Sequence, residues 1–160
     1  MLAIIDYGVG NLFSLQCSLK KIGVDAVVTK NPEEIKKADR IILPGVGAFG
    51  DASKKLRESG LVDLITEEAN NGKPFLGICL GMQLLFEKGY EYGEHEGLGF
   101  LKGNVIALEG KIDSSLQIPH MGWNKLKVTN DSPILEGIDG EYFYFVHSYH
   151  VIPDDDEIIA

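Results

Sequence analysis

The apolar residues in the first half of this chain alternate between short continuous runs and longer stretches with helical spacing. Four short runs predict buried strands: Leu2–Asp6, Val24–Thr29, Arg40–Leu43 and Phe75–Ile78. The stretches between and after them predict helices: Leu12–Ile22, a helix that begins at Pro32, a region from Asp51 to Asn70 broken near Gly60, and Leu80–Lys88. Strands that alternate with helices in this way predict a parallel sheet with crossover helices.

Strand signals dominate the second half of the chain. A polar loop covers residues 89–97, and four later runs predict strands: Val105–Leu108, Leu126–Thr129, Tyr142–His147 and Tyr149–Ile152. We therefore predict an α/β fold with an open, mixed and mostly parallel sheet flanked by helices. The second half is expected to add antiparallel strands. At 160 residues, the chain is expected to form one domain, residues 1–160.

Local signals add detail to this pattern. The first helix carries its apolar residues on one stripe: Leu12, Leu15, Leu19 and Ile22. Cys17 lies off that stripe and is expected at the edge of the core. Asn31 before Pro32 predicts a helix N-cap, and Asp51 is the expected cap of the next helix. Gly8-Val9-Gly10 lacks the third glycine of a dinucleotide-binding loop, so a tight strand-to-helix turn is favoured.

Composition narrows the possible classes of function. The net charge of −9 argues against binding to nucleic acid or to an anionic membrane surface, and the acids are dispersed apart from Asp154–Glu157. No apolar run reaches the length of a membrane span, and the N-terminus lacks the features of a signal peptide. Two widely spaced cysteines suit a reducing cytoplasm, and we expect no metal and no cofactor.

The most informative stretch is Gly77-Ile78-Cys79-Leu80-Gly81, which joins the fourth strand to the following helix. Small residues two before and two after a nucleophile are typical of a nucleophile elbow. The turn strains the nucleophile's backbone, and a Cβ on either glycine is expected to collide with a neighbouring element. The helix N-terminus favours a thiolate at Cys79, with the Leu80 N–H directed at a developing oxyanion. An inert cysteine at a strand–helix corner is the alternative.

A second glycine-rich stretch, Pro44–Gly50, follows the third strand. Its backbone N–H groups can turn toward a bound oxygen, although a plain flexible loop would have the same composition. Ligands of open α/β sheets bind at the carboxyl ends of the strands. Asp6, this loop and Cys79 are all expected there, so we predict the functional site at that edge.

Five motifs along the chain together resemble one family. They are Asp6-Tyr7-Gly8-Val9-Gly10-Asn11-Leu12, Pro44-Gly45-Val46-Gly47-Ala48-Phe49, Gly77-Ile78-Cys79-Leu80-Gly81-Met82-Gln83, Pro119-His120-Met121-Gly122-Trp123-Asn124 and Tyr144-Phe145-Val146-His147-Ser148-Tyr149. The elbow and the Pro-Gly-Val-Gly loop are similar to those of class I, triad-type glutamine amidotransferases. The full set resembles the glutaminase subunits of imidazole glycerol phosphate synthase.

The resemblance implies an activity and a partner. The activity is the hydrolysis of glutamine to glutamate in a flavodoxin-like amidotransferase fold, without a cofactor. The ammonia passes to a cyclase subunit, which makes imidazole glycerol phosphate and an aminoimidazole carboxamide ribotide in histidine biosynthesis. The resemblance further implies a cytoplasmic heterodimer with an ammonia channel.

Each matching residue acquires an implied role from the resemblance. Cys79 is the implied nucleophile. The other implied sites are the oxyanion hole (Leu80, Val46, Gly47), the glutamine pocket (Gly45, Gly47, Gln83, Glu91, Ser148, Tyr149) and the partner interface (Asn11, Trp123, Asn124, Tyr144). The resemblance also implies that the peptide between Gly45 and Val46 reorients when the partner is loaded.

The chain departs from the family in one respect that concerns catalysis. The family's catalytic histidine belongs to a His-Pro-Glu segment, and this sequence contains none. His147 and His150 match the pocket strand, His120 matches the interface loop, and His95 is expected in solvent. We therefore expect a domain truncated at its C-terminus and inactive as it stands, with Ile158–Ala160 beginning a strand. A His-Pro-Glu encoded beyond Ala160 would support this expectation.

Three other functions remain open from the sequence. The chain could be a paralogous amidotransferase that feeds another synthase, because the glutamine pocket would look alike. It could also be a catalytically silent scaffold that only binds a partner. An unrelated hydrolase with an elbow cysteine is disfavoured by Gln83 and the Pro-Gly-Val-Gly loop.

Overall fold

A computed structural model describes residues 1–154 of the protein. Residues 155–160 lie outside the described residues, and with them most of the acidic run and the strand expected at Ile158–Ala160.

The first half forms a four-stranded parallel sheet in the order β2-β1-β3-β4. Its strands are β1 (Leu2–Ile5), β2 (Ala26–Thr29), β3 (Arg40–Gly45) and β4 (Phe75–Cys79). The helices are α1 (Leu12–Lys21), α2 (Pro32–Lys37), α3 (Phe49–Glu58), α4 (Val62–Asn70) and α5 (Leu80–Gln83). The strand–helix alternation predicted from the sequence is confirmed. Asn31 caps α2 as expected, because its side-chain oxygen accepts a hydrogen bond from the Glu33 N–H over 3.0 Å.

The period of two along the strands divides the core between the two faces of this sheet. On one face, β-strand residues pack against the helical residues Ile35, Leu56 and Ile65. On the other face, Leu2, Ile4 and Ile42 pack against α1. Leu12, Leu15 and Leu19 make that contact, whereas Ile22 is 72% exposed, so the predicted stripe extends one residue too far. Cys17 is also exposed on α1, and its expected position at the core edge is wrong.

The second half forms two further sheets. One has the order β10-β7-β5-β6 and the other pairs β8 with β9 in antiparallel register. The strands are β5 (Lys88–Gly89), β6 (His95–Glu96), β7 (Gly103–Ala107), β8 (His120–Lys125), β9 (Tyr142–His147) and β10 (Tyr149–Pro153), with a 3-10 turn at Pro133–Leu135. A mostly parallel sheet flanked by helices, followed by antiparallel strands, confirms the predicted fold class.

Three predicted elements are wrong in detail. The helix expected over Leu80–Lys88 ends at Gln83, because residues 88 and 89 pair with both β6 and β7. The strand expected at Leu126–Thr129 is replaced by β8, whose register with β9 runs from His120 to Lys125. Asp51 does not cap α3, which begins after Ala48 without a side-chain cap of its own.

Strand β4 lies at the edge of the parallel sheet and pairs only with β3 among residues 1–154. Leu76 and Ile78 are 47% and 36% exposed. Leu76 pairs with Ile42, so it faces the same side of the sheet as α1 but lies beyond the cover of that helix. No helix within residues 1–154 combines the length and the apolar character that crossing a membrane requires.

Candidate active site

The elbow around Cys79 has the strained geometry that the sequence predicted. Cys79 has φ 54° and ψ −119°, in the left-handed half of conformational space that residues with a side chain seldom adopt. A Cβ on Gly77 would overlap the backbone of Met82, and one on Gly81 would overlap the carbonyl of Leu43. Both glycines are therefore required by close backbone approach, and together they hold Cys79 at the junction of β4 and α5.

Helix α5 is only four residues long, so it supplies one turn of aligned peptides behind Cys79. The helical dipole expected to favour a thiolate is correspondingly small. Cys79 is exposed, whereas Leu80 beside it is buried. The Leu80 N–H is the first of the helix and has no partner within it, which leaves it free to donate to an oxygen bound at Cys79.

The segment Gly45–Gly47, which is predicted to supply the rest of the oxyanion hole, begins directly beside Cys79. Gly45 is the neighbour of Cys79 in the β3–β4 register. A Cβ on Gly45 would lie 2.5 Å from the backbone nitrogen of Gly81, so the start of the segment is packed tightly against the elbow. Gly47 has φ 92° and open space around it, and Val46 is 53% exposed. The segment is therefore fixed at Gly45 and free to adjust at Gly47.

A cleft of about 400 Å³ opens beside Cys79. Eight residues predicted for the catalytic and glutamine-binding roles line it together: Val46, Gly47, Cys79, Leu80, Gln83, Glu91, Ser148 and Tyr149. Gly45 is set back beneath this lining, against Leu80 and Gly81. Three further lining residues, Pro119, Val146 and His147, had been assigned no pocket role beyond a match to the pocket strand or interface motif. For Val146 and His147, the available signal was their position directly before Ser148 in the same motif.

Hydrogen bonds orient the polar side chains of this cleft. The side-chain nitrogen of Gln83 donates to the carbonyl of Tyr149 over 3.4 Å. A Glu91 carboxylate oxygen accepts from the Phe49 N–H over 2.7 Å, which supplies the cap that α3 lacks. Burial, followed by the negative charge of Glu91, raises the pKa of Tyr149 above its ordinary value. The hydroxyl of Tyr149 is therefore protonated at physiological pH.

His147 lines the same cleft as Cys79, but its ring nitrogens are engaged elsewhere. Nδ1 lies 2.9 Å from the carbonyl of Tyr149 and must donate to it, because a carbonyl only accepts. Nε2 lies 2.9 Å from Nδ1 of His120, whose Nε2 in turn lies 3.0 Å from Oδ1 of Asn124. The ring nitrogen of His147 that does not donate to Tyr149 thus faces His120, which makes His147 a poorly placed base for Cys79.

The other histidines lie outside the cleft lining. Burial, followed by the charges of His147 and Lys111, lowers the pKa of His150, so that His150 is neutral at physiological pH. His95 was expected in solvent, and this is wrong: its ring is partly buried against Gly50 in the first turn of α3. No group of three histidine, cysteine, aspartate or glutamate side chains within residues 1–154 is arranged to hold a metal ion.

The four residues assigned to the partner interface do not share one face of the β8–β9 ribbon. Trp123 and Tyr144 are cross-strand neighbours on the β8–β9 ribbon, with ring centroids 5.6 Å apart, and they are 67% and 53% exposed. Asn124 alternates to the opposite face, where it contacts His120. Asn11 lies elsewhere and caps α1 by accepting from the Ser14 N–H over 3.3 Å.

The fold has clear counterparts among known proteins. The family described as class-I glutamine amidotransferase matches residues 3–160. A crystal structure of a glutamine amidotransferase superposes with a TM-score of 0.69 at 21% identity, covering 90% of this chain and 70% of the other. The structure of PurLQS from Thermotoga maritima gives 0.67 at 25% identity, covering 97% and 70% of the two chains. The chain belongs to the class I glutamine amidotransferase family.

Curated relatives narrow the family further. The imidazole glycerol phosphate synthase subunit HisH of Sulfurimonas denitrificans is 54% identical over 98% of this chain and 76% of its own length. The HisH subunits of Aquifex aeolicus and Bacillus licheniformis are 52% and 51% identical, over 98% and 99% of this chain and 74% and 76% of theirs. Within the class I amidotransferases, the chain belongs to the family of these HisH subunits.

Proposed function

We propose that this chain is the glutaminase subunit of an imidazole glycerol phosphate synthase, acting in histidine biosynthesis. It would hydrolyse glutamine to glutamate and pass ammonia to a cyclase subunit in a cytoplasmic heterodimer. The proposal is carried by the observation that Cys79, the oxyanion segment (Val46 and Gly47) and four polar residues of the predicted glutamine pocket all line the same cleft. The identity of about half the residues with HisH subunits supports this synthase over a paralogous one.

In the proposed mechanism, the thiolate of Cys79 attacks the side-chain carboxamide of glutamine. The carbonyl oxygen becomes an oxyanion, which the N–H groups of Leu80, Val46 and Gly47 stabilise. One such donor is typically worth about 10²–10³ in rate. Ammonia leaves, a thioester remains on the sulfur, and water hydrolyses it to glutamate. The negative charge of Glu91 suits the α-ammonium of glutamine, and Gln83, Ser148 and Tyr149 present groups that can hydrogen-bond its α-carboxylate.

Both steps need a general base and acid, to assist attack and to protonate the leaving nitrogen. Of the described histidines, only His147 lines the cleft, and its ring is committed to Tyr149 and His120. No histidine among residues 1–154 is therefore placed to act as the base on Cys79.

Turnover in the presence of the cyclase tests this proposal. Residues 1–160 are mixed with the cyclase subunit and its substrate, and the released glutamate is measured. The Sulfurimonas denitrificans subunit serves as the positive control. The expected result is association with the cyclase and little glutamate release, because His147, the only described histidine in the cleft, has both ring nitrogens engaged by other groups. Rapid release that His147→Ala abolishes would identify His147 as the base, and absence of association would favour another function.

A further inference from the structure

The segment from Gly89 to His95, here termed the clasp, connects β5 to β6 and packs against the first turn of α3. A Cβ on Gly89 at the end of β5 would lie 2.5 Å from the ring of Phe49, the first residue of α3. A Cβ on Gly50, the second residue, would lie 2.6 Å from Cε1 and Nε2 of His95 at the start of β6. Both ends of the clasp therefore press on the same helical turn.

Glu91 within the clasp connects this turn to the glutamine cleft. Its Oε2 accepts the Phe49 N–H over 2.7 Å, and its side chain lines the cleft beside Cys79. A hydrogen bond to a carboxylate is stronger than one between neutral groups. Phe49 follows Gly47 of the oxyanion segment by two residues. The carboxylate therefore occupies a fixed position between the substrate cleft and the helix that continues that segment.

The backbone of Glu91 is held in turn by His95. The His95 Nε2 lies 3.1 Å from the carbonyl oxygen of Glu91. A carbonyl can only accept, so Nε2 carries the hydrogen and donates it. The rest of the loop offers little restraint of its own. Tyr92 at its tip is 87% exposed with φ 57°, and the Lys88–Glu94 ion pair, 2.6 Å long, lies at the surface where such pairs stabilise weakly.

We propose that His95 is a positioning residue for glutamine recognition, acting through Glu91. His95 donates to the Glu91 carbonyl, and its ring packs against Gly50. These two contacts fix the backbone of Glu91 and so position its carboxylate for the α-ammonium of the substrate. This inference rests on the proposed function, because it takes glutamine as the occupant of the cleft. His95 does not line the cleft, and neither the resemblance nor the elbow motif indicated a role for it.

Two substitutions separate positioning from simple space filling. His95→Phe keeps a flat ring against Gly50 but removes the donor. His95→Gln keeps an N–H donor on a flexible chain but removes the ring. If His95 positions Glu91 through its hydrogen bond, Gln retains more substrate binding than Phe. If His95 only fills space, Phe retains more than Gln.

Covalent labelling of Cys79 provides the measurement and needs no catalytic base from elsewhere. In a Cys17→Ser background, Cys79 is the only cysteine. A diazoketone analogue of glutamine, which keeps the α-amino and α-carboxylate groups, is titrated and labelling is followed by intact mass. The concentration for half-maximal labelling rate (KI) reports recognition, and the maximal rate (kinact) reports the chemistry at sulfur. Iodoacetamide, which lacks the amino-acid groups, is the matched control reagent.

The expected result is a KI raised about twofold to tenfold in His95→Phe, the range that follows from losing one neutral hydrogen bond. The kinact of this variant and its rate with iodoacetamide stay within about twofold of the parent. His95→Gln lies closer to the parent. An unchanged KI in His95→Phe, or a larger defect in His95→Gln, overturns the positioning role. If the parent protein itself shows no preference for the analogue over iodoacetamide, the proposed glutamine site fails, and this inference with it.

Discussion

The hydroxyl of Tyr7 donates a hydrogen bond of 2.7 Å to the carbonyl oxygen of Pro44, inside the protein. This bond joins the loop after β1 to the residue that precedes Gly45, where the oxyanion segment begins. Tyr7→Phe is expected to lower the free energy of unfolding by about 1–2 kcal/mol, because it removes the donor from a buried carbonyl. Urea denaturation measures the change, and a variant as stable as the parent would contradict it.

The same tyrosine gives a pH dependence with a definite sign. Burial raises the pKa of Tyr7 above its ordinary value, so the folded state holds the proton when the unfolded chain has lost it. The stabilisation is complete below about pH 10 and is lost as the pH rises further, with a slope of up to about 1.4 kcal/mol per pH unit. Tyr7→Phe is expected to flatten this decline between pH 10 and 11. Parallel curves for parent and variant would argue against it.

Gly81→Ala tests the close approach at the elbow. The added Cβ would overlap the Leu43 carbonyl, which is backbone and cannot rotate away. We expect a loss of more than about 3 kcal/mol or failure to fold. Gly60→Ala is the control: it has φ 72° with open space, so it adds only the left-handed strain of about 1–2 kcal/mol. Equal losses of unfolding free energy in the two variants would show that the backbone shifts to accommodate a Cβ at position 81.

Labelling of the two cysteines separates exposure from recognition. Cys17 and Cys79 are both exposed, so a small alkylating agent is expected to modify both. A glutamine analogue is expected to modify Cys79 at least about tenfold faster, because only the cleft offers partners for its amino-acid groups. Peptide mapping after brief reaction measures the ratio. Comparable modification of Cys17 by the analogue would remove the main support for a glutamine site.

Glu91 is expected to have two separable functions. Glu91→Ala removes the cap of α3 and should cost about 1–2 kcal/mol of stability. Glu91→Gln keeps an oxygen that can accept the Phe49 N–H, so its stability should stay nearer that of the parent. Both variants lose the negative charge and should bind the glutamine analogue more weakly. Thermal unfolding and analogue titration measure the two effects, and normal binding by Glu91→Gln would exclude a charge-based contact.

Trp123→Ala tests the partner interface that the resemblance implies for Trp123 and Tyr144. Trp123 and Tyr144 are both exposed and lie outside the core, so the variant is expected to fold normally by circular dichroism. Association with the cyclase subunit is expected to weaken by about 2 kcal/mol or more if Trp123 is an interface hot spot. Ile134→Ala, at a side chain 71% exposed on the 3-10 turn, is the control. Equal affinity of the two variants would locate the interface elsewhere.

The sequence by itself determined the parallel strands and the elbow, and its resemblance to the amidotransferase family indicated eight of the eleven residues that line the cleft. The strands and the elbow depend on local chemistry: short continuous apolar runs, glycines where backbones touch, and a cysteine between them. The tertiary structure alone decided where α5 ends, because residues 88 and 89 leave the helical path to pair with β6 and β7. It also decided that His95 rests on Gly50 and that Asn124 turns away from Trp123. Those outcomes depend on contacts between residues distant in sequence and on the register of two strands, and no local pattern encodes either.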